Sequence, residues 1–211
     1  MTTSPTRPAS IEYFFDPACP WTWMTSRWLV DVSAAVGIEV RWRNLSLAVV
    51  NAGREIPERF RTAQQAAARA HRVIAALVAA ERDDLVGDFY TEWGRRFHHD
   101  GEHGDPGLAR RVAEAVGAAA WADAADEDRW DEVIEASTEE GQGLAGGDDV
   151  GSPVLAFGEP RVGIFGPIVS PAPTGVAAVA LFDHVVALAA TPSFFERKRG
   201  RTGGPELGPR P

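Results

Sequence analysis

One cysteine stands at the start of a predicted helix, in the run DPACPWTW that begins at Asp16. Pro20 is favoured at the first position of a helix, which makes Cys19 the N-cap residue. The unpaired backbone N–H groups of the first turn and the positive end of the helix dipole then face its sulfur. Both stabilise a thiolate, so the pattern predicts a nucleophilic cysteine with a lowered pKa. The alternative is a buried, inert cysteine, which the adjacent proline makes the weaker interpretation.

The cysteine count and the charge exclude several classes of protein. With 1 cysteine in 211 residues, neither an intramolecular disulfide nor a zinc site with two cysteine ligands of this chain is possible. The net charge of -9 argues against a broad positively charged surface that binds nucleic acid or anionic lipid. Met1–Ser10 contains no apolar stretch typical of a signal peptide, and Val176–Ala190 is too short to span a bilayer. These features predict a soluble, cytoplasmic protein.

The elements that position Cys19 form a strand–helix–strand unit. A β-branched and aromatic run predicts a strand over Ile11–Phe15. Apolar residues at steps of three and four predict a helix over Trp21–Val36, which ends at Gly37. Alternation predicts a second strand over Glu39–Leu47. Such a unit within about 40 residues is typical of a parallel βαβ arrangement.

The rest of the chain divides into a helical segment and a second strand-containing segment. The predicted helices of the first segment are Phe60–Ala80, Leu85–Phe97, Leu108–Val116, Trp121–Ala125 and Trp130–Glu140. Turn residues predict a loop over His98–Gly107. The second segment comprises a hairpin of strands Val154–Phe157 and Val162–Phe165, a helix over Thr174–Ala190 and a short helix from Thr191 to about Arg199. Residues 1–9 and 200–211 are predicted to be disordered tails.

The order βαβ, helical insertion, ββα is that of an α/β, thioredoxin-like fold with a helical insertion between its two halves. Residues 10–56 and 146–199 are predicted to form the thioredoxin-like domain, and 57–145 the inserted helical domain. In thioredoxin folds a cis-proline lies opposite the cysteine at the helix start, and the residue before it offers backbone groups to a bound thiol. In the run VGSPV, Pro153 and Ser152 are the natural candidates. A trans proline at the first position of a strand is the alternative.

Several runs of the sequence resemble the mycothiol-dependent nitroreductases of actinobacteria, a group within the DsbA-like thioredoxin-fold family. These runs are DPACPWTWMTSRWL, SLAVVN, DVGSPVLAF, GPIVS and PSFFERKR, and the resemblance extends from about residue 10 to about residue 203. It implies a cytoplasmic enzyme that uses the low-molecular-weight thiol mycothiol as co-substrate and acts on a small electrophile. Cys19, Thr22 and Pro153 are the predicted catalytic residues.

Five residues are predicted to contact the thiol cofactor: Pro20, Trp21, Asn51, His98 and Ser152. Trp21 belongs to the active-site motif and is predicted to form a stacking wall, whereas the alternative places both Trp21 and Trp23 in the core. Asn51 and His98 match positions of the family. A turn residue before a glycine is an equally good interpretation of Asn51.

Thr22 stands where the family's Cys-Pro-Trp-Cys motif has its second cysteine. An internal disulfide is therefore impossible, and the sequence predicts a monothiol cycle in which a second mycothiol resolves the adduct on Cys19. Nitroreductase-like and de-mycothiolation activities both remain open. One alternative is a non-redox enzyme, similar to glutathione transferase kappa or to an isomerase, in which Thr22 activates a bound thiol. The other alternative is a non-catalytic protein that binds a thiol cofactor or a partner.

The histidines other than His98 are not predicted to take part in the site. His98, His99 and His103, with the acidic residues among them, have the side-chain types of a zinc site. However, the segment is rich in turn residues and the resemblance implies no metal, so a solvated loop or lid and no metal site are predicted. His71 and His184 lie on predicted helices and are interpreted as packing or surface residues. The sequence leaves the oligomeric state open.

Overall fold

A four-stranded sheet forms the centre of the fold in a computed structural model that describes residues 6–211. Its strands in chain order are β1 (Ser10–Phe15), β2 (Glu39–Asn44), β3 (Val154–Phe157) and β4 (Val162–Phe165). The order across the sheet is β2-β1-β3-β4. The pair β1–β2 is parallel, whereas β1–β3 and β3–β4 are antiparallel. This is the arrangement that the order of the predicted elements requires.

Five of the seven α-helices in the described residues lie between β2 and β3 in the sequence. In chain order, the seven helices are α1 (Pro20–Val36), α2 (Leu47–Val50), α3 (Glu58–Ala79), α4 (Val86–Gly94), α5 (Leu108–Ala115), α6 (Asp131–Leu144) and α7 (Gly175–Ala189). The five between the strands are α2 to α6. Short 3₁₀ segments cover Asp83–Leu85, Ala119–Asp126 and Asp128–Trp130, and one π-helical turn covers Arg95–His99. Within residues 6–211, no helix combines the length and apolar character needed to cross a membrane.

Local signals define α1 at both of its ends. Pro20 occupies its first turn, and Gly37 follows it with a φ of 73°, in the left-handed region that glycine adopts readily. The backbone N–H of Gly37 donates to the carbonyl of Ser33 at 2.9 Å and so satisfies one of the last helical carbonyls. The helix therefore ends where the sequence predicts, and Pro20 lies at its start with Cys19 as the N-cap residue, also as predicted.

The second predicted strand and the last predicted helix differ in the structure, and the predicted loop His98–Gly107 begins with two residues of the π-helical turn, His98 and His99. The second strand ends at Asn44, and the apolar residues after it form the short helix α2, whose first N–H, that of Leu47, donates to the carboxylate of Asp16 at 2.7 Å. The helix predicted from Thr191 to Arg199 is wrong, because this segment contains turns and irregular backbone. Phe195 is 91% exposed there, and a short helix without packing is marginal in water.

Both ends of the described chain contact the rest of the molecule, while the disorder of the tails stays a prediction. Residues 1–5 of the predicted N-terminal tail lie outside the described residues. Arg7 forms a bidentate ion pair with Asp183 on α7, at 2.6 and 2.9 Å. Residues 200–211 have no helix or strand, yet their side chains and backbone make defined contacts, such as the pair between Arg210 and Asp100 at 2.8 Å.

The two faces of β1 pack into different cores, because side chains alternate along a strand. Ile11, Tyr13 and Phe15 belong to the larger core, which includes buried residues of α1, α3, α4, α5 and α7. Phe14 points to the opposite face, where it joins a small core with Leu45 and residues of β3. Helix α6 covers this second face, so the insertion supports the sheet directly behind the strand that leads to Cys19.

Gly141 is a point at which α6 approaches the sheet closely. A Cβ atom there lies 2.7 Å from Cδ1 of Phe14 and 3.3 Å from Cδ1 of Leu45. We expect Gly141→Ala to lower the free energy of unfolding by about 1–3 kcal/mol, because the added methyl group overpacks this core. Chemical denaturation of the two proteins measures the difference.

Gly143→Ala on the same helix is the matched control, since a Cβ atom at Gly143 has no neighbour within 4 Å. Replacing a helical glycine by alanine at an open position stabilises by about 0.5–1 kcal/mol. The two substitutions should therefore change the free energy of unfolding in opposite directions. Equal effects at Gly141 and Gly143 would contradict the close packing of α6 on Phe14.

Candidate active site

Cys19 lies in the segment that connects β1 to α1, directly before the first residue of the helix. It has an extended backbone (φ -82°, ψ 114°), and its carbonyl accepts the N–H of Trp23 at 3.0 Å, as expected of an N-cap residue. The N–H groups of Trp21 and Thr22 belong to the first turn, which has no helical partners to offer them. Both stabilise the thiolate of the partly buried Cys19.

The direction of the Cys19 pKa is opposite to the one that its helix position predicts. Burial raises the pKa of the thiol, because withdrawal from water penalises the charged form. The Thr22 hydroxyl and the N–H groups of Thr22 and Trp21 act in the lowering direction, whereas the nearby carboxylate of Asp16 adds to the increase. The expected donors are therefore present, but the depth of the sulfur outweighs them.

A pair of hydroxyl groups joins the start of α1 to the loop that precedes β3. The Oγ1 of Thr22 lies 2.8 Å from the Oγ of Ser152, and Ser152 Oγ also accepts the backbone N–H of Asp16 at 2.9 Å. When Ser152 donates its proton to Thr22, the proton of Thr22 is free to point at the sulfur. The Ser152–Pro153 peptide bond is cis, and both residues are buried beside α1. The structure thus brings Cys19, Thr22, Ser152 and Pro153 into one site.

The carboxylate of Asp16 connects this site to the end of β2. Its Oδ1 accepts the N–H of Ala18 at 2.7 Å, and its Oδ2 accepts the N–H of Leu47 at 2.7 Å. The carboxylate is buried, with 1% of the residue exposed. Asp16 therefore fixes the shape of the segment Asp16–Cys19, which we call the cysteine loop, and ties it to α2.

His71 and Asn44 extend the polar network below Asp16. The Nε2 of His71 lies 3.4 Å from Oδ2 of Asp16, and its Nδ1 lies 2.8 Å from Oδ1 of Asn44. Because the amide nitrogen of Asn44 donates to the backbone carbonyl of His71 at 3.2 Å, its oxygen faces Nδ1, which must carry the hydrogen. The interpretation of His71 as a packing or surface residue is incomplete: it is fully buried, but within a hydrogen-bonded network. The position of His71 among the apolar residues of α3 is the sequence signal that indicates its burial.

The insertion forms a wall of the site through its π-helical turn. His98 Nε2 donates to the carbonyl of Pro17 in the cysteine loop at 3.0 Å. Burial lowers the pKa of His98 to about 3, so the ring is neutral at physiological pH. Trp23 is fully buried and donates from Nε1 to Nε2 of His99 at 3.2 Å, whereas Trp21 is partly exposed. Of the two tryptophans, Trp21 is thus the one that a ligand can reach.

The remaining predicted positions are not brought together with the sulfur by any observed contact. Asn51 caps the C-terminus of α2 with its backbone, and within residues 6–211 its side chain makes no hydrogen bond. Its contact with a thiol cofactor stays a prediction.

Within residues 6–211, no three side chains of the His, Cys, Asp and Glu types are grouped to hold a metal ion. Glu102 and Asp105 instead pair with Arg111.

The family is decided by a match that covers most of the chain. A family model described as "Mycothiol-dependent nitroreductase Rv2466c" matches residues 18–199. The chain belongs to this Rv2466c-like family. The matched range contains Cys19, Thr22, Ser152 and Pro153, so the family relationship includes the whole constellation around the sulfur. Asp16 and residues 200–211 lie outside it.

Individual relatives agree with this assignment. A protein of Mycobacterium tuberculosis, described as "Uncharacterized protein Rv2286c", is 33% identical over 198 residues, which cover 92% of this chain and 83% of that protein. Among solved structures, the cytosolic disulfide reductase DsbM from Pseudomonas aeruginosa with GSH gives a TM-score of 0.55 at 15% identity, covering 84% of this chain and 99% of DsbM. A second DsbM structure gives 0.52 at 16% identity, covering 85% and 99%. These likenesses confirm the thioredoxin-like, DsbA-type fold of this Rv2466c-like protein.

The Thr22 hydroxyl should control the ionisation of Cys19. We expect Thr22→Val to raise the pKa of the thiol, because the substitution removes a donor that stabilises the thiolate. A hydrogen bond to a charged group is worth about 1.5–3 kcal/mol, which corresponds to roughly one to two pKa units. The rate of alkylation by iodoacetamide as a function of pH measures this value, and 1 cysteine in the chain ensures that the signal has one source.

Thr25→Val, one turn further along α1, is the control for this measurement. The hydroxyl of Thr25 donates to the carbonyls of Trp21 at 3.2 Å and Pro167 at 2.8 Å and does not reach the sulfur. Its loss should leave the pKa of Cys19 unchanged. An unchanged pKa in the Thr22 variant as well would mean that its hydroxyl does not stabilise the thiolate.

Proposed function

We propose that this protein is a thiol oxidoreductase that uses mycothiol as co-substrate through a monothiol cycle at Cys19. The observation that carries the proposal is the lone cysteine at the N-cap of α1, with Thr22 at 2.8 Å from Ser152 beside it, in a chain of the Rv2466c-like family. A free thiol without a possible intramolecular partner suits a reducing compartment, so we place the reaction in the cytoplasm.

The proposed reaction removes mycothiol from a mixed disulfide in two balanced steps. The Cys19 thiolate attacks the mycothiol sulfur of the substrate, forms a Cys19–mycothiol disulfide and releases the substrate thiolate, which takes a proton from water. The thiolate of a second mycothiol then attacks the mycothiol sulfur of this adduct. Mycothiol disulfide forms, and Cys19 leaves as thiolate. One mixed disulfide and one mycothiol are thus converted into one thiol and one mycothiol disulfide.

The residues around Cys19 have distinct roles in this cycle. The Thr22 hydroxyl and the N–H groups of Trp21 and Thr22 stabilise Cys19 when it leaves as a thiolate in the second step. Pro20 fixes the helix start, and the exposed side of Trp21 forms a wall for the bound thiol.

The loop before β3 and the insertion complete the proposed binding site. In the proposed complex, Ser152 and Pro153 lie opposite the sulfur, and their backbone groups bind the polar groups of an extended thiol ligand. His98 holds the cysteine loop through Pro17 as a neutral donor. Asn51 is the proposed hydrogen-bonding partner of the cofactor at the end of α2.

Nitro reduction is the second candidate, favoured by the description of the family model. With one protein thiol, the two electrons must come from two mycothiol molecules. Cys19 and one mycothiol transfer two electrons and two protons to the nitro compound, which becomes a nitroso compound and water as the Cys19–mycothiol disulfide forms. This reaction needs the Cys19–mycothiol disulfide to be resolved by mycothiol just as the first one does, so both candidates share the same adduct.

Mass spectrometry after incubation with mycothiol disulfide tests the proposal. We expect one mycothiol per chain, bound to Cys19 and removed by added mycothiol, because a thiolate stabilised by the first turn of α1 undergoes exchange. Cys19→Ser should take up no mycothiol and should lose turnover to the background rate. Glutathione disulfide serves as the control for the choice of thiol.

Two other outcomes would replace the proposal. If Cys19→Ser retains a thiol-dependent activity and Thr22→Ala loses it, the protein is a non-redox transferase or isomerase that uses the Thr22 hydroxyl. If neither substitution changes any thiol-dependent reaction and the wild-type chain forms no adduct, the protein binds a thiol cofactor or a partner without catalysis.

A further inference from the structure

The C-terminal residues Arg201–Pro211, which we call the strap, begin beside the active-site helix. The guanidinium carbon of Arg201 lies 4.5 Å from the centroid of the Trp21 ring. Further along, the N–H of Glu206 donates to the Oγ of Ser170 at 3.0 Å. The strap is thus attached both to the first turn of α1 and to the loop that follows β4.

The other end of the strap is attached to the insertion. Arg210 forms a bidentate ion pair with Asp100, at 2.9 and 2.8 Å. The Nε of Arg95 donates to the carbonyl of Pro211 at 2.6 Å. Both partners belong to the π-helical turn Arg95–His99 or follow it directly. The strap therefore links the thioredoxin-like half of the chain to the insertion.

Each of the two attachment points adjoins a segment next to Cys19. On one side, Trp21 follows Pro20 in the first turn of α1, directly after Cys19. On the other side, His98 lies between the strap partners Arg95 and Asp100 in sequence and binds the carbonyl of Pro17 in the cysteine loop. The strap thus connects the first turn of α1, which follows Cys19, to the π-helical turn that contacts the cysteine loop.

The strap is held by contacts that break readily. The side chains of Arg210 and Asp100 are 48% and 36% exposed, and exposed ion pairs are weak and screened by salt. The stacking of Arg201 on Trp21 is likewise a partly exposed interaction. These weak contacts together favour a closed state, in which the strap is bound at both ends. They leave a minor open state, in which the strap is released, populated as well. The strap also lies beyond residue 199, where the match to the family ends.

We propose that the strap is a size gate that admits low-molecular-weight disulfides and thiols to Cys19 and excludes folded proteins that carry a mixed disulfide. The inference rests on the proposed function for the nature of the substrate, which it narrows to small mixed disulfides. The gate itself concerns only which molecules reach the sulfur. It is therefore testable with reagents that involve no mycothiol.

Two maleimides of different size test the gate. N-ethylmaleimide and a maleimide that carries a long polyethylene glycol chain form the same bond with Cys19, so only their size differs. In a chain that ends at Gly200, we expect the rate of the large reagent to rise by about tenfold or more, because a minor open state is no longer required. The rate of N-ethylmaleimide should change little. Arg210→Ala should give a smaller change in the same direction.

Arg7→Ala is the matched control, because it breaks another bidentate pair with an aspartate, Asp183 on α7, that does not involve the strap. It should leave both rates unchanged. The proposal is overturned if the large reagent reacts equally fast with and without the strap. Equal acceleration of both reagents overturns it as well, since that result indicates a loosened fold. Failure of the mycothiol adduct experiment, by contrast, would remove the proposed function and leave the gate intact.

Discussion

The carboxylate of Asp16 is almost completely withdrawn from water, at 1% exposure, and therefore needs donors on its oxygens. The donors are backbone N–H groups of Ala18 and Leu47, which belong to the cysteine loop and to the start of α2. Its own N–H group donates to Ser152, before β3. Three segments that are distant in the chain are thereby fixed around one side chain. The position of Cys19 relative to Thr22 and Ser152 depends on this arrangement.

The same arrangement sets the ionisation of the thiol. Burial of the sulfur raises the pKa of the thiol, and the buried carboxylate of Asp16 nearby adds a smaller increase. A thiol of high pKa is a strong nucleophile once deprotonated but a poor leaving group. In a monothiol cycle Cys19 must do both. The donors of the first turn, and above all the Thr22 hydroxyl, are placed where they assist the leaving step. Threonine thus retains a hydrogen-bond donor at the position of the second cysteine of the family motif.

The sequence predicted those parts of the fold that local signals determine. Proline at the first turn and glycine after the last turn define α1, and two short runs on either side of the turn Gly158–Arg161 predict the hairpin of β3 and β4 at its observed bounds. Other features depend on contacts between distant residues. Helix α2 starts where it does because Asp16 accepts the N–H of Leu47, and no pattern within β2 indicates that partner. His71 meets Asn44 and Asp16 only in the folded chain. The position of Cys19 at a helix start predicts its donors but not its depth, and the depth determines the direction of the pKa.

A single thiol also restricts the shape of the site. In the proposed cycle, a second thiol must enter while Cys19 carries mycothiol, and it must approach the adduct sulfur along the line of the disulfide bond. A dithiol enzyme avoids this need, because its second cysteine is already in place. The Rv2466c-like protein described here must leave room beside Trp21 for two small molecules in succession. Because the proposed first step leaves mycothiol and not the substrate on Cys19, the adduct is small and the second thiol has room to enter. A closure that selects small ligands, such as a strap between Trp21 and Asp100, is therefore consistent with the replacement of the second cysteine by Thr22.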